Sequence, residues 1–544
     1  MNGLSIEHPS GREAISPILI LRFGISFLLL GALLRILQFA AGISFWGDEL
    51  ALALNIVERA LGPLLTTPLD HNQVAPQGFL FAARVGVVVF GNNEYAMRIF
   101  SLAGALVALP LFWLVARRVL VGPAVLLATG LFALGLPFIR YGAELKQYST
   151  DVAACLLMIL VVLQRRHEHS LQSGLLLGIL GAVAIWFSMT TVLVLAGLGA
   201  AMVLNAVLDH KFIARRKVIG PTAILWGGAA TISVLHGLHN VTPETHEYMQ
   251  AFWASHFMPW PPTSLKEGLW LTWQLEGIFA ELMEYRSAQL YLVAALLGFW
   301  SLWRRDRRVF SLLIGPLLVT LLASALHQYP FGGRVNLFLV PLLLIATAEG
   351  ADWVLSFVSP RAARALRISL PMFPIVLALG VGTSRPAYHI YQHEQTAPVL
   401  AHIQTHRMAN DRLYIYYAAE KAHQYYTARS GLDSMSAVVG GCHRGDGRAY
   451  LREVDAFRGE ERAWFFFSHP RFHERTAILA YLERIGTRLD TAEEVSTRAT
   501  GRPGAAAYLF DLSDPDRLAR ATAGDFPLPK SVAFPQVPKA LRCR

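Results

Sequence analysis

Charge is scarce in this sequence: only 16% of its residues are Asp, Glu, Lys or Arg, against 54% that are hydrophobic. A soluble protein of 544 residues needs far more charge to cover its surface, so a soluble globular fold is excluded. Cysteine is scarcer still. The three are Cys155, inside an apolar run, and Cys442 and Cys543 in the polar C-terminal part; no Cys-x-x-Cys pair exists, which argues against a thiolate-built metal centre. A Cys442–Cys543 disulfide is permitted where that part lies outside the cytoplasm. No internal repeat is evident, which weighs against transporters built from inverted repeats. The formal net charge of +10 does not point to nucleic acid. Its basic excess sits in short clusters between apolar runs, where it orients a chain in a bilayer.

What the sequence does have is apolar length. Runs of roughly 20 residues, enough to cross a membrane, recur from residue 16 to residue 383. About eleven spans are expected by this measure, near 16–40, 97–116, 121–138, 148–164, 171–187, 190–208, 217–236, 288–303, 309–326, 335–357 and 368–383. The first is too long for a signal peptide and is read as a retained span. Arg117/Arg118, Arg165/Arg166, Lys211 with Arg215/Arg216/Lys217, Arg304/Arg305/Arg307/Arg308 and Arg361/Arg364/Arg367 occupy alternate loops. These loops are cytoplasmic if the N-terminus is inside. Loops 41–96, 139–147, 237–287 and 327–334 then face outward, as does everything beyond about 384.

The expected fold class is an α-helical polytopic membrane protein over residues 1–384, with a small extracytoplasmic α/β domain over 385–544. An interfacial or re-entrant helix is expected at Gly78–Phe90 in the first outer loop, because that apolar stretch is too short to span. In the 237–287 loop, Trp253, Trp260, Trp270 and Trp273 favour the headgroup level. Beyond Ser384, strands at Arg412–Tyr417, Ala463–Ser468 and Ala506–Leu512 alternate with helices, and a Pro-rich tail follows Phe526.

Four polar segments fall in the outer loops. Asp48 and Glu49 stand where the first span ends; two adjacent acids at a bilayer edge require a partner or a water-filled cavity. Asp48 is a general-base candidate, and the plain alternative is a helix cap. His71 and Pro76 precede the short apolar helix, and Arg98 enters the second span, where a snorkelling arginine is routine. Tyr141–Tyr148 holds Glu144, Lys146 and Tyr148; a cation beside a tyrosine suits a phosphate on a lipid carrier, and an aromatic belt is the alternative. Gly332, Gly333 and Arg334 suit a close approach and a bidentate phosphate clamp, or a tight turn. All four segments share one membrane face by an argument that did not use them, which favours one shared site.

These segments resemble the GT-C superfamily of membrane glycosyltransferases, specifically the bacterial group related to protein O-mannosyltransferases and lipid A aminoarabinose transferases. The resemblance rests on Asp48-Glu49 after the first span, His71 to Pro76 before the short helix, FGNNEYAMRIFSLAGALVALPLFWLVARR from Phe90 to Arg118, YGAELKQYS from Tyr141, and YPFGGRVNLFLVP from Tyr329. It implies an inverting enzyme that takes a sugar from a polyprenyl-phosphate donor and passes it to a hydroxyl of a cell-envelope glycan, lipid or protein, on the outer face of a bacterial inner membrane. Asp48 would be the catalytic base, Glu49 its support, and Glu144 part of the active-site cavity. His71, Arg98, Lys146, Tyr148 and Arg334 would serve donor binding. Such a donor needs no Asp-x-Asp metal motif, so no cofactor and no obligatory metal are expected. Two departures stand out: Ala75-Pro76-Gln77-Gly78-Phe79 replaces the Pro-Pro-Leu-Tyr-Tyr phrase usual before the interfacial helix, and Lys146 replaces a commoner arginine. A polysaccharide ligase or a lipid-linked sugar transporter is the alternative.

Overall fold

The computed structural model describes residues 16–430, 436–444, 446–470, 472–495 and 503–528. The Cys442–Cys543 pairing and most of the Pro-rich tail fall outside them.

Apolar length translates into helices that cross a bundle. Among the described residues, seven are long and apolar enough to span a bilayer: Pro17–Ala40, Glu94–Val119, Tyr148–Arg165, Thr191–Leu208, Phe212–Asn240, Arg307–Ala325 and Gly333–Leu355. Pro123–Ala133 and Leu136–Ala143, bent by 49° at their break, make an eighth if counted as one. The chain is thus a multi-pass membrane protein. Three of the eleven expected spans take other forms. Leu171–Phe187 is a helix of 17 residues. Ala288–Arg305 is helical but mixes Gln289 and two terminal arginines into its apolar run. The last is broken into short pieces, Pro360–Ser369, Leu370–Met372 and Phe373–Ala378, with Pro371 and Pro374 at the starts of the second and third.

Small residues decide the tightest helix contact. Gly298 and Gly350 let Ala288–Arg305 and Val340–Leu355 touch backbone to backbone: a Cβ at Gly298 would lie 1.8 Å from the Ala346 carbonyl oxygen, and one at Gly350 1.8 Å from that of Ala294.

The loops sort into two groups by their contacts. At one end, Arg305 donates to the Val119 carbonyl (2.5 Å), Arg308 pairs with Asp209 (2.8 Å), and Arg215 donates to the Arg166 carbonyl (2.7 Å), so four basic loops meet. At the other, the first loop, the 141–148 loop and the 329–334 loop converge. The Glu94–Val119 helix joins the two ends; its 26 residues rise about 39 Å. The first loop folds as three helices, Gly47–Glu58, Leu61–Thr66 and Gln77–Phe90.

After Gln395 the chain forms a five-stranded mixed sheet: β1 Arg412–Ile415, β2 Ser436–Val439, β3 Ala463–Phe467, β4 Thr487–Val495 and β5 Pro503–Asp511, in the order β2-β1-β3-β5-β4. β1 pairs in parallel with β2 and β3, and β5 runs antiparallel to β3 and β4. The Thr396–His406, Glu420–Ser430, Gly447–Val454 and Phe472–Ile485 helices accompany the sheet. Its core is aromatic, with Tyr414, Tyr416, Trp464, Phe465, Phe466 and Tyr508 all fully buried. This sheet does not hang free. Gln38 exchanges two hydrogen bonds with the Tyr391 backbone (2.8 and 2.9 Å), Ser44 binds Gln395 (3.0 Å) and the Ala397 N–H (3.1 Å), and the Phe45 N–H donates to the Tyr426 hydroxyl (2.7 Å).

Candidate active site

The Gly47–Glu58 helix starts with two acids in its first turn, where the positive end of its dipole favours them. They diverge at once. Glu49 turns inward to 1% exposure and takes Arg98 with both oxygens (2.8 and 2.6 Å), while its Oε1 also accepts the Leu145 N–H at 2.5 Å. Arg98 also donates to the Ile43 carbonyl (2.5 Å) and the Ser44 carbonyl (3.4 Å) and stands over the Phe45 ring. Burial pushes the Glu49 carboxyl above its usual range in spite of Arg98. Arg98 therefore holds the first loop to its span, and its guanidinium is occupied by Glu49 and the backbone rather than open to a donor phosphate.

Asp48 points the other way and is one-third exposed. It accepts a hydrogen bond from Arg334 Nη2, whose guanidinium also lies 5.4 Å from the Trp46 ring. Burial pushes the Asp48 carboxyl up, but Arg334, then Lys146 and His469, outweigh it and hold the group below the usual aspartate range. Lys146 is 8% exposed and donates to Gln73 Oε1 at 2.7 Å; burial draws it below the ordinary lysine value, with Asp48 opposing. Tyr148 is buried at the start of its helix with its ring against Tyr141, 5.1 Å away. Arg334 Nε is buried with no hydrogen-bond partner.

Glu144 is bound from two sides. Arg140, one turn before it, donates to its Oε1 at 2.7 Å, and His393 Nε2 lies 3.4 Å from the same oxygen. Burial raises this carboxyl, but Arg140 and His393 hold it far below the usual glutamate range. Its second oxygen is buried and has no hydrogen-bond partner, an unused acceptor inside the site. His393 stacks on Trp46 with centroids 4.1 Å apart. Beside it Glu394 accepts three hydrogen bonds: Ser468 Oγ at 2.7 Å, the His469 N–H at 2.9 Å and His469 Nδ1 at 3.1 Å. His469 has a positive φ of 52° and packs 3.9 Å from where a Gly47 Cβ would stand.

Asp48, Glu49, Glu144, Lys146, Tyr148 and Arg334 are thus brought together from three separate loops. His71 is not: it sits in a left-handed turn with φ 63°, and burial together with Lys421 lowers its imidazole. The sequence reading missed Arg140, although its i,i+4 spacing to Glu144 was visible, and Gln73. It also missed His393, Glu394 and His469, for which the polar C-terminal part gives no periodic signal. The chain does contain an Asp-x-Asp, Asp514-Pro515-Asp516, but Asp514 is a helix cap that accepts from the Asp516 and Arg517 N–H groups. No three acids or histidines around Asp48 approach closely enough to hold an ion among the described residues; one such group lies elsewhere, on the C-terminal sheet.

An apolar cavity of about 430 Å³ adjoins the site. Leu64, Leu80, Ile185, Trp186, Ala229 and Ile232 line it, and Gln73, the acceptor of Lys146, stands on its wall.

A family model described as dolichyl-phosphate-mannose-protein mannosyltransferase matches residues 74–235, under a third of the chain. The match includes residues 170–235, where the motifs above are silent. It bears out the resemblance to the GT-C membrane glycosyltransferases, and with it the assignment of the chain as a glycosyltransferase. No curated protein matches the chain in sequence. Among solved structures, ArnT from Cupriavidus metallidurans in the apo state is 13% identical, with 88% of this chain and 97% of that one covered and a TM-score of 0.47. The same protein bound to undecaprenyl phosphate is 15% identical over the same shares, with a TM-score of 0.49. An oligosaccharyltransferase from Archaeoglobus fulgidus, in complex with Zn and sulfate, is 11% identical, with 89% and 72% covered and a TM-score of 0.45.

Proposed function

We propose that this chain is an inverting glycosyltransferase that moves a sugar from a polyprenyl-phosphate donor to a hydroxyl of a cell-envelope acceptor, on the outer face of a bacterial inner membrane. The observation that carries this reading is the setting of Asp48: an ionised carboxylate between Arg334 and Lys146, with Lys146 linked through Gln73 to an apolar cavity. The cations suit the donor phosphate and the cavity its isoprenoid. Orientation is supported by the basic loops, which gather at the end of the bundle away from Asp48. The N-terminus is then cytoplasmic and the sheet domain periplasmic.

The steps follow from the contacts. The donor phosphate competes with Asp48 for Arg334, and its arrival frees the carboxylate. Asp48 accepts the proton of the acceptor hydroxyl as the acceptor oxygen bonds to the anomeric carbon on the face opposite the phosphate. The bond from that carbon to the phosphate oxygen breaks, and its electron pair stays on the lipid phosphate. Arg334 and Lys146 offset the added charge, which no general acid has to quench. The free oxygen of Glu144 accepts a hydrogen bond from a sugar hydroxyl.

Asp48→Asn keeps the shape and removes the base. Sugar transfer from a polyprenyl-phosphate donor should vanish in membranes that contain normal amounts of inserted protein. Substantial transfer by that variant would remove Asp48 from the role. Product analysis separates the alternative, because a ligase would deliver a polymer and a lipid-linked sugar transporter no new glycosidic bond.

A further inference from the structure

The Thr396–His406 helix carries two histidines one turn apart, His402 and His406, whose rings stack with centroids 4.0 Å apart. Opposite them, Asp490 of β4 places its Oδ2 2.7 Å from His402 Nε2. Each of the three side chains offers one N or O ligand atom, and these atoms all lie within 4.8 Å of one another.

An irregularity in the sheet brings Asp490 there. Along β4 the pairing with β5 slips between Arg488, opposite Phe510, and Asp490, opposite Leu509. In a regular strand Arg488 and Asp490 would share a face. The extra residue, Leu489, sets them on opposite faces, as a bulge does when it re-aims a side chain. Arg488 stays over the rings of Tyr508 and Phe510, and Asp490 reaches the helix. His406 is prepared as well. Its Nδ1 bonds the His402 carbonyl at 2.9 Å, which fixes the proton on Nδ1 and leaves the Nε2 lone pair available.

We infer that His402, His406 and Asp490 form a binding site for a divalent zinc-type ion, separate from the transfer centre. Two imidazoles and one carboxylate are a donor set that zinc accepts, and water completes the tetrahedron at this surface position. The ion takes the place of the proton between His402 and Asp490. When bound it ties β4, an edge strand, to a helix whose first residues follow His393 and Glu394.

The test uses the full chain in detergent, carrying no polyhistidine tag, stripped by chelator and titrated with zinc chloride. Calorimetry and elemental analysis should find one tightly held ion per chain. His406→Ala, at an exposed side chain, and Asp490→Asn should each weaken uptake by more than about tenfold. Zinc should raise the unfolding temperature of the unaltered chain and leave that of both variants in place. Absence of stoichiometric zinc, or equal binding by the unaltered chain and the two variants, would overturn the site.

Discussion

Replacing Arg98 by Met removes the partner of a carboxylate that is 1% exposed. The methionine fills much of the volume, so the expected loss comes from Glu49 rather than from a void. A carboxylate stranded at that depth takes up a proton in preference to remaining charged. Its ordinary value is 4.5, so holding it neutral at pH 7 spans 2.5 pH units at 1.36 kcal/mol each, at most ~3.4 kcal/mol relative to the unaltered chain, in which burial already raises this carboxyl and part of the cost is present. At pH 5 the same cost is ~0.7 kcal/mol. The sign follows from proton counts: the folded variant keeps a proton that its unfolded chain releases above pH 4.5, so its stability recovers as the pH falls. Thermal unfolding of detergent-purified Arg98→Met and unaltered protein at both pH values measures the gap. It should be wide at pH 7 and nearly closed at pH 5, and adding Glu49→Gln should remove its pH dependence. A gap equally wide at both values would refute the argument and assign the loss to packing.

The other predictions concern the site and the bundle. Arg334→Gln takes away the largest influence lowering the Asp48 carboxyl, so the acid limb of the transfer rate should move to higher pH, read from a pH–rate profile. An unmoved limb would mean that Asp48 does not titrate in the reaction. Ala182→Phe narrows the apolar cavity without touching Asp48; the KM for a long-chain donor should rise several-fold with kcat little changed, and a short-chain donor should be spared. Gly298→Val drives a side chain into the Ala346 carbonyl and should lower stability by about 3 kcal/mol or more, visible as a lower unfolding temperature.

How much of this was legible depends on the range of the signal. Spans were legible because apolar length is a local property, and the exceptions have local causes, such as Pro371 and Pro374 breaking the last run. Convergence of the site was legible only as a shared membrane side: alternate basic loops set Asp48, Glu144 and Arg334 on one face, and the Asp48–Arg334 and Glu49–Leu145 contacts then join them. The pairing itself was not legible. Nothing in the first loop says that Glu49 would turn to Arg98 while Asp48 turns to Arg334. That choice is made by the helix, which separates adjacent side chains by about 100°, and by which cation lies on each side.

The C-terminal part resisted for a different reason. Its strands could be read from short apolar runs, but their residues reach the site only through docking, which joins an apolar cluster shared with the first loop, Phe45 and Leu50 against Tyr425 and Tyr426, to single bonds: Gln38 on Tyr391, Ser44 on Gln395 and the Phe45 N–H on Tyr426. These bonds have no period and no motif. Their effect is still specific, because they hold the segment containing His393 and Glu394 against Trp46 and Glu144. Glu144 stays ionised by the joint action of Arg140, from its own loop, and His393, from the segment after residue 385. The charge of one site residue therefore depends on two parts of the protein. On the proposed reading, that dependence makes the segment after residue 385 a part of the active site and not an appendage to it.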